Sequence, residues 1–374
     1  MKVTVIPARA LATEHIHAWS ALQQASPELC SPFLSPEFTM AVAMARTDVC
    51  VGILEQNGRP VGFFPYQHSR LAIGHPVGGL LNDVQGVIVA PGVEWRAMDL
   101  VRACGLAAWR FTRARGSQAA WQPFHYARRI SAVVDLSDGW SAYADTMRHG
   151  VSAQALDRKS RKLERKAGPL RFEPHSDDPA VLRRLMDWKL RRYGSHGYLD
   201  AFAVPWVRQL LARIHATQTA SFAGMLSVLY AGDEPVAANL GLRSRDVWHY
   251  WCPAYDRRFW RCSPGLLLLQ RIIQHAGEAG MREVELGGCD EYPYKRVFMN
   301  DSRILLEGTV GGVPVIATVD RWRHSSEDWI RHSRLLRPPA RRLLRAYRRA
   351  KHSLLYGGAA ADGRPHGDGR SAPD

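Results

Sequence analysis

Two stretches of the chain share one order of apolar and polar positions. Residues 53–64 and residues 228–239 each consist of an apolar run, a polar turn, a proline and a second apolar run. Asn57-Gly58 forms the first turn and Gly232-Asp233 the second, and both dipeptides accept the positive φ angles of tight hairpin turns. The pattern therefore predicts two β-hairpins.

A helix is expected at a similar distance after each hairpin. Pro91-Gly92 precedes a helical pattern over residues 93–108, and Pro264-Gly265 precedes one over residues 266–279. Because a hairpin and a helix recur in the same order, the sequence predicts a duplicated α+β domain. The boundary between the copies is expected near residues 139–151.

Helical patterns also fill the segment that joins the copies. Residues 179–192 carry leucines at helical spacing, and residues 158–166 form a basic, helix-forming run. This run is typical of a solvated helix face, and the alternative is that it binds an anionic substrate.

Three further segments follow the second copy. Residues 304–310 and 313–319 flank Gly311-Gly312 and predict another hairpin, and residues 357–374 have a composition typical of disorder. Residues 339–355 form a basic helical pattern inside an arginine-rich tail. Leucines alternate with arginines there, which fits contact with an anionic membrane surface or a synthase complex, or packing on the protein's own body.

Composition narrows the class of protein. The 374 residues are 46% hydrophobic and 23% charged, which excludes disorder, collagen and coiled coil as the main class. A formal net charge of +15 favours anionic partners.

No apolar run approaches the roughly 18 residues of a membrane-spanning helix, and no signal-peptide pattern begins the chain, so a cytoplasmic location is expected. The six cysteines include no C-x-x-C pair and are expected to be reduced, mostly buried thiols.

The most informative window begins with the aromatic strand of residues 247–251. A loop and then Ser263-Pro264-Gly265 follow, where Ser263 suits an N-cap and Pro264 the first helical position. Such a helix start presents unpaired N–H groups and positive dipole to a pyrophosphate, and Gly265 allows close approach. The loop before it carries three arginines: Arg257, Arg258 and Arg261.

The corresponding helix start in the first copy is less suited to an anion. Glu94 lies within the first turn after Pro91-Gly92, where a carboxylate repels a phosphate. The second copy is therefore expected to hold the ligand.

A polar, aromatic loop completes the window. A short strand over residues 282–286 precedes Gly287-Gly288, and the loop continues to Arg296 with many titratable groups.

These residues resemble the GNAT superfamily, specifically the double-domain CelD-like acyltransferases associated with cellulose and other exopolysaccharide synthesis. The resemblance covers about residues 15–310. It rests on the Ser263-Pro264-Gly265 helix start, on Asp256-Arg257-Arg258, on Gly287-Gly288 with Asp290 and Tyr294-Lys295-Arg296, and more weakly on residues 30–38. The chain departs from the family at residues 291–293, which lengthen the link between Asp290 and Tyr294.

The resemblance implies two tandem GNAT-like domains, each with a mixed, mostly antiparallel sheet flanked by helices. The first, degenerate domain would span residues 1–145 and the second, acyl-CoA-binding domain residues 146–320. A basic helical tail over residues 321–356 and a disordered end over residues 357–374 would follow.

The resemblance also implies acyl transfer from acetyl-CoA or another acyl-CoA to an amine or hydroxyl, with the pantetheine along a splayed strand. Ser263, Pro264, Gly265 and the three arginines would bind the co-substrate. Asp290 is the candidate general base, and Glu285 is the second candidate. Tyr294 would protonate the departing thiolate or donate a hydrogen bond to it, and Lys295 would hold a phosphate or the acceptor. Each also has a structural interpretation: a turn cap for Asp290, a core position for Tyr294 and a surface charge for Lys295.

The expected acceptor is a sugar, a nucleotide sugar or a polysaccharide precursor. Two alternatives stay open: a FemAB-like transferase that takes its acyl group from charged tRNA, and a non-catalytic scaffold of a polysaccharide synthase. The histidines show no H-E-x-x-H spacing, so no metal site is expected, and no Walker A or G-x-S-x-G motif occurs. A nucleic-acid partner is not expected for the leading hypothesis.

Overall fold

A mixed β-sheet forms the body of the protein in a computed structural model, which describes residues 2–148, 151–194, 201–289 and 292–311. Its strands are β1 (Lys2–Pro7), β2 (Val49–Gln56), β3 (Arg59–His68), β4 (Ile73–His75), β5 (Ile88–Val89), β6 (Ala108–Arg115), β7 (His125–Asp135), β8 (Leu170–Glu173), β9 (Phe222–Ala231), β10 (Glu234–Ser244), β11 (Val247–Tyr255), β12 (Glu283–Gly288) and β13 (Asp301–Gly311).

Helices cover both faces of this sheet. They are α1 (Thr13–Gln24), α2 (Pro36–Ala45), α3 (Ala97–Ala103), α4 (Gly139–Arg148), α5 (Val151–Ala167), α6 (Pro179–Gly194), α7 (Pro205–His215) and α8 (Pro264–Glu278). In the described residues no helix is long and apolar enough to cross a membrane.

The sheet is built from two halves with the same order of elements. Its strands run β1-β2-β3-β4-β6-β13-β7-β12-β11-β10-β9-β8, and β5 pairs with β3. In each half a hairpin is followed by a parallel pair joined through a helix, β4 with β6 through α3 and β11 with β12 through α8. The last strand of each half lies in the other half's sheet, because β13 pairs with β6 and β7 pairs with β12. The predicted α+β class and repeated order are confirmed.

The apolar core is divided by the sheet. On one face α1 and α2 of the first half and α6 and α7 of the second share one continuous cluster. On the other face α8 packs with α4 and α5, while α3 covers the first half. Both faces of the central strands are therefore buried.

The two predicted hairpins are present. Asn57 and Gly58 have φ angles of 51° and 75°, and Gly232 has 59°, so each turn uses the conformation its dipeptide favours. The helix predicted at 266–279 is α8, and Gly280 ends it with a φ of 73°.

The helix predicted over residues 93–108 is wrong in extent. Only Ala97–Ala103 is helical, and Gly105 follows with a φ of 67°. Trp95 packs against Trp121 with 4.7 Å between ring centroids, which holds the chain before α3 in an irregular path. Ala108 already belongs to β6, where pairing with β13 outweighs helix propensity.

Several predictions fall partly or wholly outside the described residues. The strand predicted at 304–310 is present as β13, but its partner at 313–319 lies outside them. The basic helix of the tail and the disordered end also lie outside. The proposed domain boundaries stay a prediction.

Candidate functional site

Strands β11 and β12 stop pairing near the middle of the sheet. Only Val247 to His249 pair with Glu283 to Glu285. Beyond that point β12 pairs with β7, while β11 pairs with β10 across a register shift between Leu240 and Leu242. Because α8 starts where β11 ends, the interval between the two strands opens toward the first turn of α8.

The first turn of α8 is suited to an anion. Ser263 is the N-cap residue with φ 50° and ψ 52°, and no acidic side chain lies in the turn. Its hydroxyl does not cap the helix, since it accepts a hydrogen bond from Lys159 Nζ at 2.8 Å. A Cβ added to Gly265 would lie 3.4 Å from Tyr255 Cδ1, an ordinary contact. Lys159 therefore adds a cation to the predicted binding residues.

The three arginines before α8 differ in their surroundings. Arg258 pairs with Asp256 and Glu234 at 2.7 and 2.8 Å, and its side chain is exposed. Arg257 is also exposed, and the guanidinium of Arg261 lies over the ring of Trp260. The arginines therefore form an exposed rim, and in the described structure Arg258 is held by carboxylates.

A buried network centred on Glu285 joins the two halves. One carboxylate oxygen of Glu285 lies 2.8 Å from Arg115 Nη2, and both side chains are only 2% exposed. Ser31 Oγ donates to the other oxygen at 2.6 Å, and His249 Nδ1 lies 2.9 Å from it. Arg303 completes the set at 3.2 Å. Burial opposes ionisation of Glu285, but Arg115, His249 and Arg303 outweigh it and hold the pKa well below its usual value.

His249 links Glu285 to Asp83. Its Nε2 lies 3.2 Å from Asp83 Oδ2, and Asp83 Oδ1 lies 3.5 Å from Arg113 Nε. Burial lowers the pKa of His249, but Asp83 and Glu285 outweigh burial and raise the pKa above its ordinary value. Burial likewise opposes ionisation of Asp83, and Arg113 and His249 lower its pKa to about 2. Asp83, Arg113 and Arg303 are 20%, 32% and 19% exposed, and they therefore lie nearer the surface than His249 and Glu285.

The end of β12 meets Asp83 and His249 at Gly287. Gly287 has a φ of 73°, and an added Cβ would lie 3.2 Å from Asp83 Oδ2, 3.6 Å from His249 Nε2 and 3.6 Å from Lys295 Nζ. Lys295 is 9% exposed, and burial lowers its pKa to about 8 with help from Arg113 and Lys189. Lys295 is therefore buried, contrary to its interpretation as a surface charge.

Two further predicted residues, Tyr294 and Asp290, follow β12 in the sequence. Tyr294 is half-buried against the core beneath α8. Asp290 lies outside the described residues. In the described parts of the chain no group of His, Cys, Asp or Glu side chains is arranged to hold a metal ion. All six cysteines are free thiols, and five are buried.

Sequence reasoning missed the partners of Glu285 in the network, because only the fold brings them together; they are Ser31, Asp83, Arg113, Arg115, His249 and Arg303. Lys159 left a usable signal. It lies three residues after Leu156 and four before Leu163, both buried, and therefore on the inner face of α5.

Part of the chain matches a known family model. Residues 151–296 match the family model described as the acetyltransferase (GNAT) domain. Among curated proteins no match is found.

Two solved structures resemble the whole fold. FemX has a TM-score of 0.52 at 9% identity, with 83% of this chain and 96% of FemX covered. The C-terminal DUF2156 domain of a protein assigned as a lysylphosphatidylglycerol synthetase of Agrobacterium fabrum has a TM-score of 0.51 at 15% identity, with 82% and 94% covered. Residues 151–296 of this chain are therefore similar to the acetyltransferase (GNAT) domain, and the whole chain shares its fold with these two structures.

Proposed function

We propose that the chain is an acyl-CoA-dependent N- or O-acyltransferase that uses acetyl-CoA or a longer acyl-CoA. The proposed acceptor is a sugar, a nucleotide sugar or a polysaccharide precursor, as in the CelD-like enzymes that the sequence resembles. GNAT domains use acyl-CoA, and residues 151–296 match that domain. The observation that carries the proposal is the opening between β11 and β12 beside an acid-free helix start.

The α8 start supplies what a pyrophosphate needs. Leu266 and Leu267 donate their backbone N–H groups to Ser263 O, whereas the Gly265 N–H has no backbone partner among the described residues, and the helix dipole favours negative charge there. Lys159 brings an ammonium to Ser263, and the first turn carries no repelling carboxylate. The pantetheine would then follow the opening between the strands toward His249 and Glu285.

Side chains of the loop after β12 would transfer the protons of the reaction. The acceptor nitrogen or oxygen bonds to the thioester carbonyl carbon while the carbon–sulfur bond breaks. Asp290 would take the proton that the acceptor loses, and Tyr294 would give a proton to the departing thiolate. Glu285 is buried and both of its carboxylate oxygens have partners in the network, so we assign it to positioning His249 and Asp83.

Titration calorimetry tests the proposal. Acetyl-CoA and longer acyl-CoAs are titrated into the full chain, and Lys159→Met should weaken binding about tenfold because it removes a cation from the pyrophosphate site. Lys162→Met, on the exposed side of α5, is the matched control and should bind as the wild type does. Absence of acyl-CoA binding, with aminoacyl-tRNA bound instead, would favour the FemAB-like alternative.

A further inference from the structure

Trp260 is a large aromatic side chain that the fold leaves in solvent. It is 59% exposed, whereas every other tryptophan or phenylalanine in the described residues is buried or half-buried. A single exposed ring is ordinary on a protein surface, so its neighbours decide what it can bind. Those neighbours are the exposed rim of arginines before α8 and the first turn of α8 itself.

The backbone of Trp260 is held beside the α8 start. It belongs to a 3₁₀ helix over Arg257–Cys262, which Phe259 anchors in the core beneath α8. Lys166 of α5 lies over the ring of Phe259, with 5.3 Å between its Nζ and the ring centroid. The Ser263 N–H donates to Trp260 O at 3.1 Å, so Trp260 lies one turn before the N-cap of α8. A nucleotide whose phosphates lie at the α8 start can therefore reach the ring of Trp260.

Two arginines flank this ring. The guanidinium of Arg261 lies over it, 5.4 Å from the ring centroid. Arg257 lies three residues before Trp260, and side chains at that spacing share one side of a 3₁₀ helix. Neither arginine forms an ion pair with a carboxylate of the described residues, whereas Arg258 between them pairs with two. Arg257 and Arg261 can therefore bind an added anion next to the ring.

An exposed indole between two guanidinium groups suits a purine base that carries a phosphate. A base stacks on the face of an aromatic side chain, and a guanidinium binds a phosphate through two parallel hydrogen bonds. Coenzyme A has adenine and a ribose 3′-phosphate at the end remote from its thioester. We propose that Trp260 stacks on this adenine and that Arg257 and Arg261 bind the 3′-phosphate. The inference rests on the proposed function, because it names how the co-substrate is recognised beyond its pyrophosphate.

This assignment also defines the acyl donor. A thioester carried on the phosphopantetheine arm of a carrier protein has neither adenine nor a 3′-phosphate, and it would leave Trp260 and both arginines without their ligand. The donor is therefore the free coenzyme A thioester, and dephospho-coenzyme A should bind more weakly than coenzyme A.

Calorimetry with coenzyme A and dephospho-coenzyme A tests the two arginines. The wild-type full chain should bind coenzyme A at least about tenfold more tightly. Replacing Arg257 and Arg261 together by glutamine should reduce this preference to within about threefold. Arg161→Met is the control and should keep the preference, because Arg161 is exposed on the side of α5 opposite the buried Leu163. Equal binding of the two ligands by the wild type would overturn the 3′-phosphate site.

Two variants of Trp260 test the adenine contact. Trp260→Ala should weaken the binding of both ligands at least about fivefold, because the adenine loses the ring on which it stacks. Trp260→Phe should keep both affinities within about threefold of the wild type, since it retains an aromatic face. Unchanged binding by Trp260→Ala would overturn the adenine site.

The two proposals fail in different ways. If the wild type binds neither ligand, the proposed function fails, and this inference fails with it. If the wild type binds coenzyme A without preferring it to dephospho-coenzyme A, and Trp260→Ala binds equally well, the inference alone is refuted.

Discussion

Neutralising Glu285 should destabilise the protein strongly. The carboxylate faces Arg115 and Arg303, accepts a hydrogen bond from Ser31, and is almost fully buried. Glu285→Gln leaves the two arginines without their shared counter-charge, and breaking a buried ion pair in this way costs about 3–5 kcal/mol. Urea unfolding at pH 7, followed by tryptophan fluorescence, measures the loss.

Glu234→Gln is the matched control. Glu234 pairs with Arg258, and the two side chains are 59% and 62% exposed, so its loss should cost at most about 1 kcal/mol. The double variant Arg115→Met/Glu285→Gln should cost less than the sum of the single variants, because it removes both charges.

Acid should reduce the difference between the wild type and Glu285→Gln. The pKa of Glu285 is lowered by folding, so its stabilisation is complete above the unfolded value of 4.5 and is lost as the pH falls below it. A Glu285→Gln variant within about 1 kcal/mol of the wild type at pH 7 would refute the reasoning.

Three further predictions concern the loop after β12. Lys295→Met should stabilise the protein at pH 7 by about 3 kcal/mol, since a pKa of about 8 against an ordinary 10.5 measures the cost of the buried charge. Urea unfolding should show that gain shrinking between pH 8 and 10.5, where the wild type becomes more stable, and a gain that does not change with pH would contradict this. Asp290→Asn should lower turnover roughly 10²- to 10⁴-fold with coenzyme A affinity within about threefold, and wild-type turnover from pH 6 to 9 would move the base elsewhere. Tyr294→Phe should slow the reaction less as the pH rises toward about 8.5, where a thiolate leaves without a proton, and a pH-rate profile tests this.

The local elements of the fold could be predicted from the sequence. Asn57-Gly58 favours a tight turn through its own backbone preferences, and the leucines and isoleucines after Gly265 recur at helical spacing. Helix α3 was predicted too long because Trp95 and Ala108 take their conformations from tertiary contacts.

The exchange of β7 and β13 could not be predicted in the same way. Each strand has an apolar pattern that fits either half, and its partner is chosen by packing across the whole sheet.

The candidate site could be predicted only where its residues are close together in the sequence. Ser263 to Gly265 and the loop after β12 are continuous segments with recognisable residues. The Glu285 network includes Ser31, which is 254 residues away from Glu285 in the sequence. No local sequence pattern could therefore predict the network. Glu285 lies between the apolar residues Val284 and Leu286, and such alternation is typical of a strand with one solvent-exposed face. In the structure both faces of β12 are buried.

The most direct test of the central claim is the affinity of acetyl-CoA for two variants at one position. Gly265→Asn and Gly265→Asp have the same shape, and a Cβ fits at this position. The carboxylate alone places a negative charge at the α8 start. Calorimetry should show acetyl-CoA binding at least about tenfold more weakly to Gly265→Asp than to Gly265→Asn, a difference of about 1.4 kcal/mol or more. Equal affinities would contradict a pyrophosphate site at the start of α8.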